Sequence, residues 1–450
     1  MTKRLVVLNI VGLSRNLIGE STPFINSYVK NKGMKSIDYV APAVTCSVQS
    51  TYLTGTSVRE HGIVGNGWYN KELAEIMFWK QSNHLVSGKM VWEEAKEKNP
   101  SFTCAQLFWW YNMYNTADWS VTPRPLYPID GRKIPDIYCS SDDLRFELNN
   151  LLGQFPLFNF WGPNSNIVSS KWIKDCAIHI HNTKRPTLNL VYIPHLDYSL
   201  QKYGPLSDKI KEELLKVDDL AKQIYEEVKD ECHLLIMSEY SISEVNGAIF
   251  PNRLLREKGW IKTKKEFDYE MLDAGASQAF AVCDHQIAHI YLNDKSIKQE
   301  VYELFKSMQN IAHVLKDEEL AGFNLDHPRS GDIVLISNNK KWFSYYFWLE
   351  DSKAPDYART VDIHRKPGYD PVELFIDPQL KFPKFKILYK LLLKKLGFRT
   401  VLDVIPLNAS LVKGSHGAIP QKGHEPVLIG DGDGEMIKPE SIKSTMLKYL

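Results

Sequence analysis

The chain has 450 residues, with Lys+Arg 55 against Asp+Glu 54 and a formal net charge of +1. A chain of this size buries a sizeable core, as one large domain or one domain carrying an insertion, and it has no global basic field to bind nucleic acid. Aromatic content of 12%, with 11 Trp and 22 Tyr, excludes disorder and suits a pocketed globule.

The six cysteines, at positions 46, 104, 139, 176, 232 and 283, form no C-x-x-C pair. Neither a disulfide framework nor a thiolate zinc site is expected, and a reducing compartment is. The first apolar run, residues 5–11, includes Asn9 and is too short for a secretory signal core. No stretch of about 18 or more apolar residues exists to span a membrane. The expectation is a cytoplasmic protein.

Residues 5–11 are a β-branched run ending at Gly12, the pattern of a parallel strand buried on both faces. A helix over 22–32 follows, stopped by Gly33, and then a strand over 36–40. After Pro42, Thr45 stands where a helix begins, residues 47–53 continue it and Gly55 stops it. A hydroxyl at a helix N-terminus sits among N–H groups that favour an anion such as phosphate; Thr is equally an ordinary N-cap residue. Residues 68–170 are rich in aromatics, with a helix near 90–97 and a strand near 103–108, and packing is the main role read for those rings.

A buried-strand pattern over 187–193 runs into His195, Asp197, Gln201 and Gly204-Pro205. An amphipathic helix over 207–230 precedes a strand over 233–237, which leads into Glu239-Tyr240. From 251 the pattern changes: strands over 279–282 and 287–292, a helix over 296–308, and a strand over 331–336. His285 and His289 lie four apart, but strand-like residues follow them, so they read as structural and not as a helical metal pair. Near the end come Asp362, His364, a basic amphipathic segment over 379–399, and the pair His416-Gly417 before a last strand at 425–429. The 379–399 segment reads as a surface helix with a solvated Lys face, or as a helix lying on an anionic membrane.

Thr45, Thr54-Gly55 and His61-Gly62-Ile63-Val64-Gly65-Asn66 resemble, without a gap, the nucleophile region of the type I phosphodiesterase/nucleotide pyrophosphatase family of the alkaline phosphatase superfamily. The resemblance implies an α/β fold: an alkaline phosphatase-like three-layer α/β/α core with a mostly parallel sheet. The core would comprise residues 1–250 and 330–450, with an inserted cap subdomain at 251–329 and a return to the core at 331–336. By the same resemblance Thr45 is the nucleophile, Asn66 a phosphate-oxygen ligand, and Asp197 and His416 are metal ligands, with His364 the second match for the His416 role.

The family's cage of three Asp, three His and the Thr is altered here. Val11 stands for an Asp, Gln201 and Tyr240 stand for His, and Glu239 replaces Asp with a longer carboxylate. Asn9, on the same strand face as Val11, and His195, two residues before Asp197, are the nearest substitutes; Gln201 and Tyr240 are left as substrate contacts. The implied cofactor is one or two divalent ions, Zn2+ first, with Mn2+ or Fe as other candidates. The implied activity is hydrolysis of a phosphodiester, pyrophosphate or phosphomonoester bond in a small phosphate-containing substrate. A phosphonate or sulfate ester hydrolase, and a phosphate-binding or scaffold protein with altered catalysis, are the alternatives, because a fold does not fix the substrate.

Overall fold

The computed structural model describes residues 4–450. Its centre is an eight-stranded sheet in the order 34–36, 427–429, 232–237, 4–10, 188–193, 104–107, 119–123, 137–139. The five strands from 232–237 to 119–123 run parallel, and antiparallel strands close both sides. Strands Leu188–Ile193 and Cys104–Leu107 are buried at every position, as parallel strands covered on both faces are. The helices form two groups: Pro23–Lys32, Ile167–Lys184 and Lys209–Val228 pack together, and so do Thr45–Thr54, Val91–Lys98 and Ser441–Lys448. The expected alkaline phosphatase-like α/β architecture is present.

The expected strand over 36–40 is corrected to Met34–Ser36, antiparallel to Val427–Ile429. The ladder is three residues long, and at Ile37 the chain turns to bridge Ile437 instead. Thr45 is not the N-cap of its helix. Val44 holds that position with extended backbone, and Thr45 is the first helical residue.

A second, four-stranded antiparallel sheet has the order 279–284, 287–292, 333–337, 311–316. The strand expected to return to the core at 331–336 is Ile333–Ser337 and belongs to this smaller sheet. It pairs residue by residue with Ile287–Ile290 of that sheet; an apolar strand carries no local mark of which sheet it joins. The tight turn joining the first two strands carries Asp284 and His285 toward the 45–54 helix, with His285 in left-handed backbone at φ 57°. The basic segment folds as helix Pro383–Lys395, none of whose side chains is buried. All six cysteines are free. Among the described residues no helix is long and apolar enough to cross a membrane.

Candidate active site

Three neighbouring parallel strands deliver polar groups to the carboxyl ends of the central sheet, where open α/β sheets place their ligands. Strand Arg4–Ile10 supplies Asn9, strand Leu188–Ile193 leads into helix His195–Tyr203 with Asp197 in its first turn, and strand Cys232–Met237 leads into Glu239 and Tyr240. The fully buried helix Thr45–Thr54 points its N-terminus at them.

Thr45 Oγ1 lies 3.0 Å from the Tyr240 hydroxyl, which donates to Asp197 Oδ1 at 3.3 Å. Because Tyr240 spends its proton on Asp197, the Thr45 hydroxyl is the donor in the first of these bonds. Gln201 Nε2 donates to Asp197 Oδ2 at 2.8 Å, and Tyr369 donates to Gln201 Oε1 at 2.9 Å. Asn9 Nδ2 and Gln49 Nε2 each donate to Glu239 Oε1 at 2.6 Å. Asn66 Oδ1 accepts the Cys46 N–H at 3.0 Å, capping the helix from outside, while Asn66 Nδ2 donates to Asp284 Oδ1 at 3.1 Å.

His416 Nδ1 donates to the Ala43 carbonyl at 2.8 Å, which leaves Nε2 as a bare lone pair facing Asp197 Oδ1 at 3.7 Å. The imidazole is sandwiched by the rings of Tyr240 and His285, each with its centroid 3.6 Å away. Burial drives His416 down to about 3, so no proton sits on Nε2 at neutral pH.

The same burial raises Asp197 to about 7, Glu239 to about 8 and Asp284 to about 7. No Lys or Arg pairs with any of the three among the described residues. Buried charge without a counter-ion is costly, so each carboxyl holds a proton or takes up a cation.

The geometry brings together Thr45, Asp197, Glu239, Tyr240, Gln201, Asn9 and His416, with Asn66 beneath the helix N-terminus. His195 is turned away and bonded to Glu213. His364 sits farther out, on the wall of the cavity that opens from Thr45. Among the described residues no three His, Cys, Asp or Glu side chains are arranged as a metal site.

Glu239 Oε2, Asn9 Oδ1 and His416 Nε2 are nevertheless buried without a partner among the described residues. These orphaned atoms are of the donor types that a divalent cation takes, whereas Val11, Gln201 and Tyr240 bring no anionic or imidazole donor.

The cavity has a volume of about 840 Å³ and reaches Thr45, Asp197, Tyr240 and His285 at its floor. Trp79, Trp110, Trp161, Tyr198 and Tyr369 wall it, and Arg124, Lys133 and Arg365 stand farther out. The aromatic run after residue 68 therefore lines a pocket as well as packing. Of the histidine pair, His289 is structural, bonded to the Val64 carbonyl at 3.0 Å and accepting the Gly331 N–H at 3.0 Å. His285 is at the site, which sequence reasoning missed along with Asp284. The one signal for both was a two-residue turn between strands, and nothing in the sequence aimed it at Thr45.

This hydroxyl at the carboxyl ends of the sheet, set among buried carboxyls on an alkaline phosphatase-like core, defines the class of protein. The family model described as type I phosphodiesterase/nucleotide pyrophosphatase matches residues 5–370, and the chain belongs to that family. Murine ectonucleotide pyrophosphatase/phosphodiesterase 5, solved in an inactive form with AMP, has the same fold with a TM-score of 0.59. It shares 13% identity, over 99% of this chain and 94% of that one. Phosphonoacetate hydrolase from Sinorhizobium meliloti 1021, in complex with phosphonoformate, gives a TM-score of 0.63 at 13% identity, over 100% of this chain and 96% of that one. No curated protein matches the sequence. Membership of the family points to hydrolysis of phosphoester bonds.

Proposed function

We propose that the protein is a hydrolase of phosphodiester or pyrophosphate bonds with Thr45 as nucleophile, assisted by a single divalent cation, Zn2+ first. The carrying observation is the line from Thr45 through Tyr240 to Asp197. It takes the hydroxyl proton inward and leaves the oxygen lone pairs facing the cavity. Attack by Thr45 Oγ1 on phosphorus would break the bond to the leaving oxygen, and water would then release the phosphoryl group from Thr45.

Cys46 N–H is taken by Asn66, so the remaining first-turn N–H groups of the 45–54 helix and the second amide proton of Asn66 would meet phosphate oxygens. Asp197 and His416 would hold the cation, with Glu239 and Asn9 next to them. Bound there, it would supply Lewis-acid polarisation of the phosphoryl group and a lower pKa for the attacking hydroxyl. The aromatic walls and the outer cations suit a substrate with an apolar or planar part beyond its phosphate. Six unpaired cysteines support a reducing compartment.

A second reading rests on Tyr240 itself. Its phenol stands where the family places an imidazole and occupies the Thr45 hydroxyl, as a phosphate-binding protein with altered catalysis would tolerate. Metal analysis together with a nitrophenyl phosphodiester assay separates the two. The hydrolase reading expects about one equivalent of metal, a rate restored after chelation by Zn2+ or Mn2+, and a loss of at least about a thousandfold in Thr45→Ala. A metal-free protein whose residual rate is the same in wild type and Thr45→Ala would establish the binding protein instead.

A further inference from the structure

Helix Pro383–Lys395 meets a hydrophobic core only through Ile387 among the described residues, on the cluster of Val245, Trp342, Val372 and Ile405. Phe382, Phe385, Leu388, Tyr389, Leu392 and Leu396 are each between 52% and 76% exposed. Single exposed apolar residues are ordinary on a protein surface; a contiguous stripe on one helix is not. Between Gln379 and Arg399 the chain carries six Lys, one Arg and no carboxylate. Asp403 holds Lys386 and Lys390, whereas Lys381, Lys384 and Lys395 are exposed and flank the apolar stripe.

The helix has two working faces. Ile387, Lys390, Leu391 and Lys394, at helical spacing, line the cavity that ends at Thr45. Phe385, Leu388, Leu392 and Leu396 repeat at the same spacing on the outer side. Beside the helix, Ile129 is 97% exposed and its carbonyl accepts from Arg399 at 3.3 Å. Tyr127, in the same loop, also lines the cavity. The apolar patch therefore forms one rim of the opening to the candidate active site.

We propose that this rim, helix 383–395 with Ile129, docks on an anionic lipid bilayer and seats the mouth of the Thr45 cavity at the headgroup plane. The substrate is then an amphiphile whose phosphoester is presented by that bilayer; this second half rests on the hydrolase reading above. Charge decides in favour of a bilayer over a protein partner. Apolar rings and leucines bordered by lysines suit the headgroup–acyl boundary, where the ammonium groups reach outward to anionic headgroups. A second copy of this chain would set the same cations against one another.

The full chain, mixed with phosphatidylcholine vesicles with and without about 30% phosphatidylserine, tests the docking by co-sedimentation. Binding is expected only with the anionic lipid and is expected to weaken as salt rises. Phe385→Ser/Leu388→Ser/Leu392→Ser, and separately Lys381→Glu/Lys384→Glu/Lys395→Glu, are expected to reduce partition at least about tenfold. Both variants should keep the wild-type melting temperature and the wild-type rate on a soluble nitrophenyl diester.

Absence of binding to anionic vesicles, or equal binding by the variants, overturns the docking. So does a wild-type dimer that the first variant dissociates, with no lipid binding by either protein. Vesicle binding without turnover of any phosphoester would leave the docking intact and remove the hydrolase reading. Equal turnover by wild type and both variants on a vesicle-borne phosphodiester would remove the bilayer-presented substrate alone.

Discussion

Asp197 and Glu239 face the same physical problem, a buried carboxyl with no Lys or Arg beside it among the described residues. Without a cation their values rise to about 7 and about 8, against ordinary values near 4 in the unfolded chain. Between about pH 4 and pH 8 the native state therefore holds protons that the unfolded state has released. The sign follows: the metal-free protein loses stability as pH rises through that window.

Cation uptake must displace the same protons, so affinity for Zn2+ should rise up to about tenfold per pH unit for each proton released between pH 6 and pH 8. Isothermal titration in buffers of different ionisation enthalpy would read both the affinity and the protons. A pH-independent affinity without proton release would contradict this assignment of the two carboxyls. Gln201 and Tyr240 are the two positions where an imidazole of the family's cage is replaced. The double change Gln201→His/Tyr240→His is expected to tighten Zn2+ by at least about tenfold and to raise the stoichiometry toward two. Unchanged stoichiometry and affinity would argue that these two positions do not limit metal binding.

At the scale of elements, the site depends on how closely strand Gly414–Ser415 approaches helix His195–Tyr203. A Cβ at Gly414 would stand 2.3 Å from the Leu200 carbonyl oxygen and 2.7 Å from Ile242 Cγ2, so Gly414→Ala must push the two elements apart. The expected cost is about 1–3 kcal/mol in urea unfolding. Weaker metal binding is expected with it, because His416 lies two residues on and faces Asp197. A substitution that leaves both unchanged would mean that this contact does not position His416.

The long parallel strands and the 45–54 helix were legible because buried apolar runs and a Gly stop are local signals. The short edge strand Met34–Ser36 was not, since its length is set by a distant partner. Neither was the sheet that takes Ile333–Ser337, because an apolar strand does not declare which open edge it will join. At the site, the residues carried by the family motif were legible. Asp284 and His285 were not, because a hairpin turn between 284 and 287 has no sequence mark that directs it across the molecule to Asn66 and His416.

For the whole molecule, the floor and the rim of one cavity divide the work. The floor holds a hydroxyl, buried carboxyls and a bare imidazole nitrogen; the rim is a basic helix whose outer apolar side is exposed. Soluble-substrate kinetics should follow the floor and ignore the outer side of the helix, whereas vesicle-borne substrate should depend on both. The central claim concerns Thr45, and rapid-quench peptide mapping by mass spectrometry during turnover of a slow phosphodiester addresses it most directly. The account predicts that the peptide containing Thr45 transiently gains the mass of the phosphoryl fragment, and that Thr45→Ala gains none and does not turn over. Steady turnover with no adduct, at the same rate in Thr45→Ala, would contradict it.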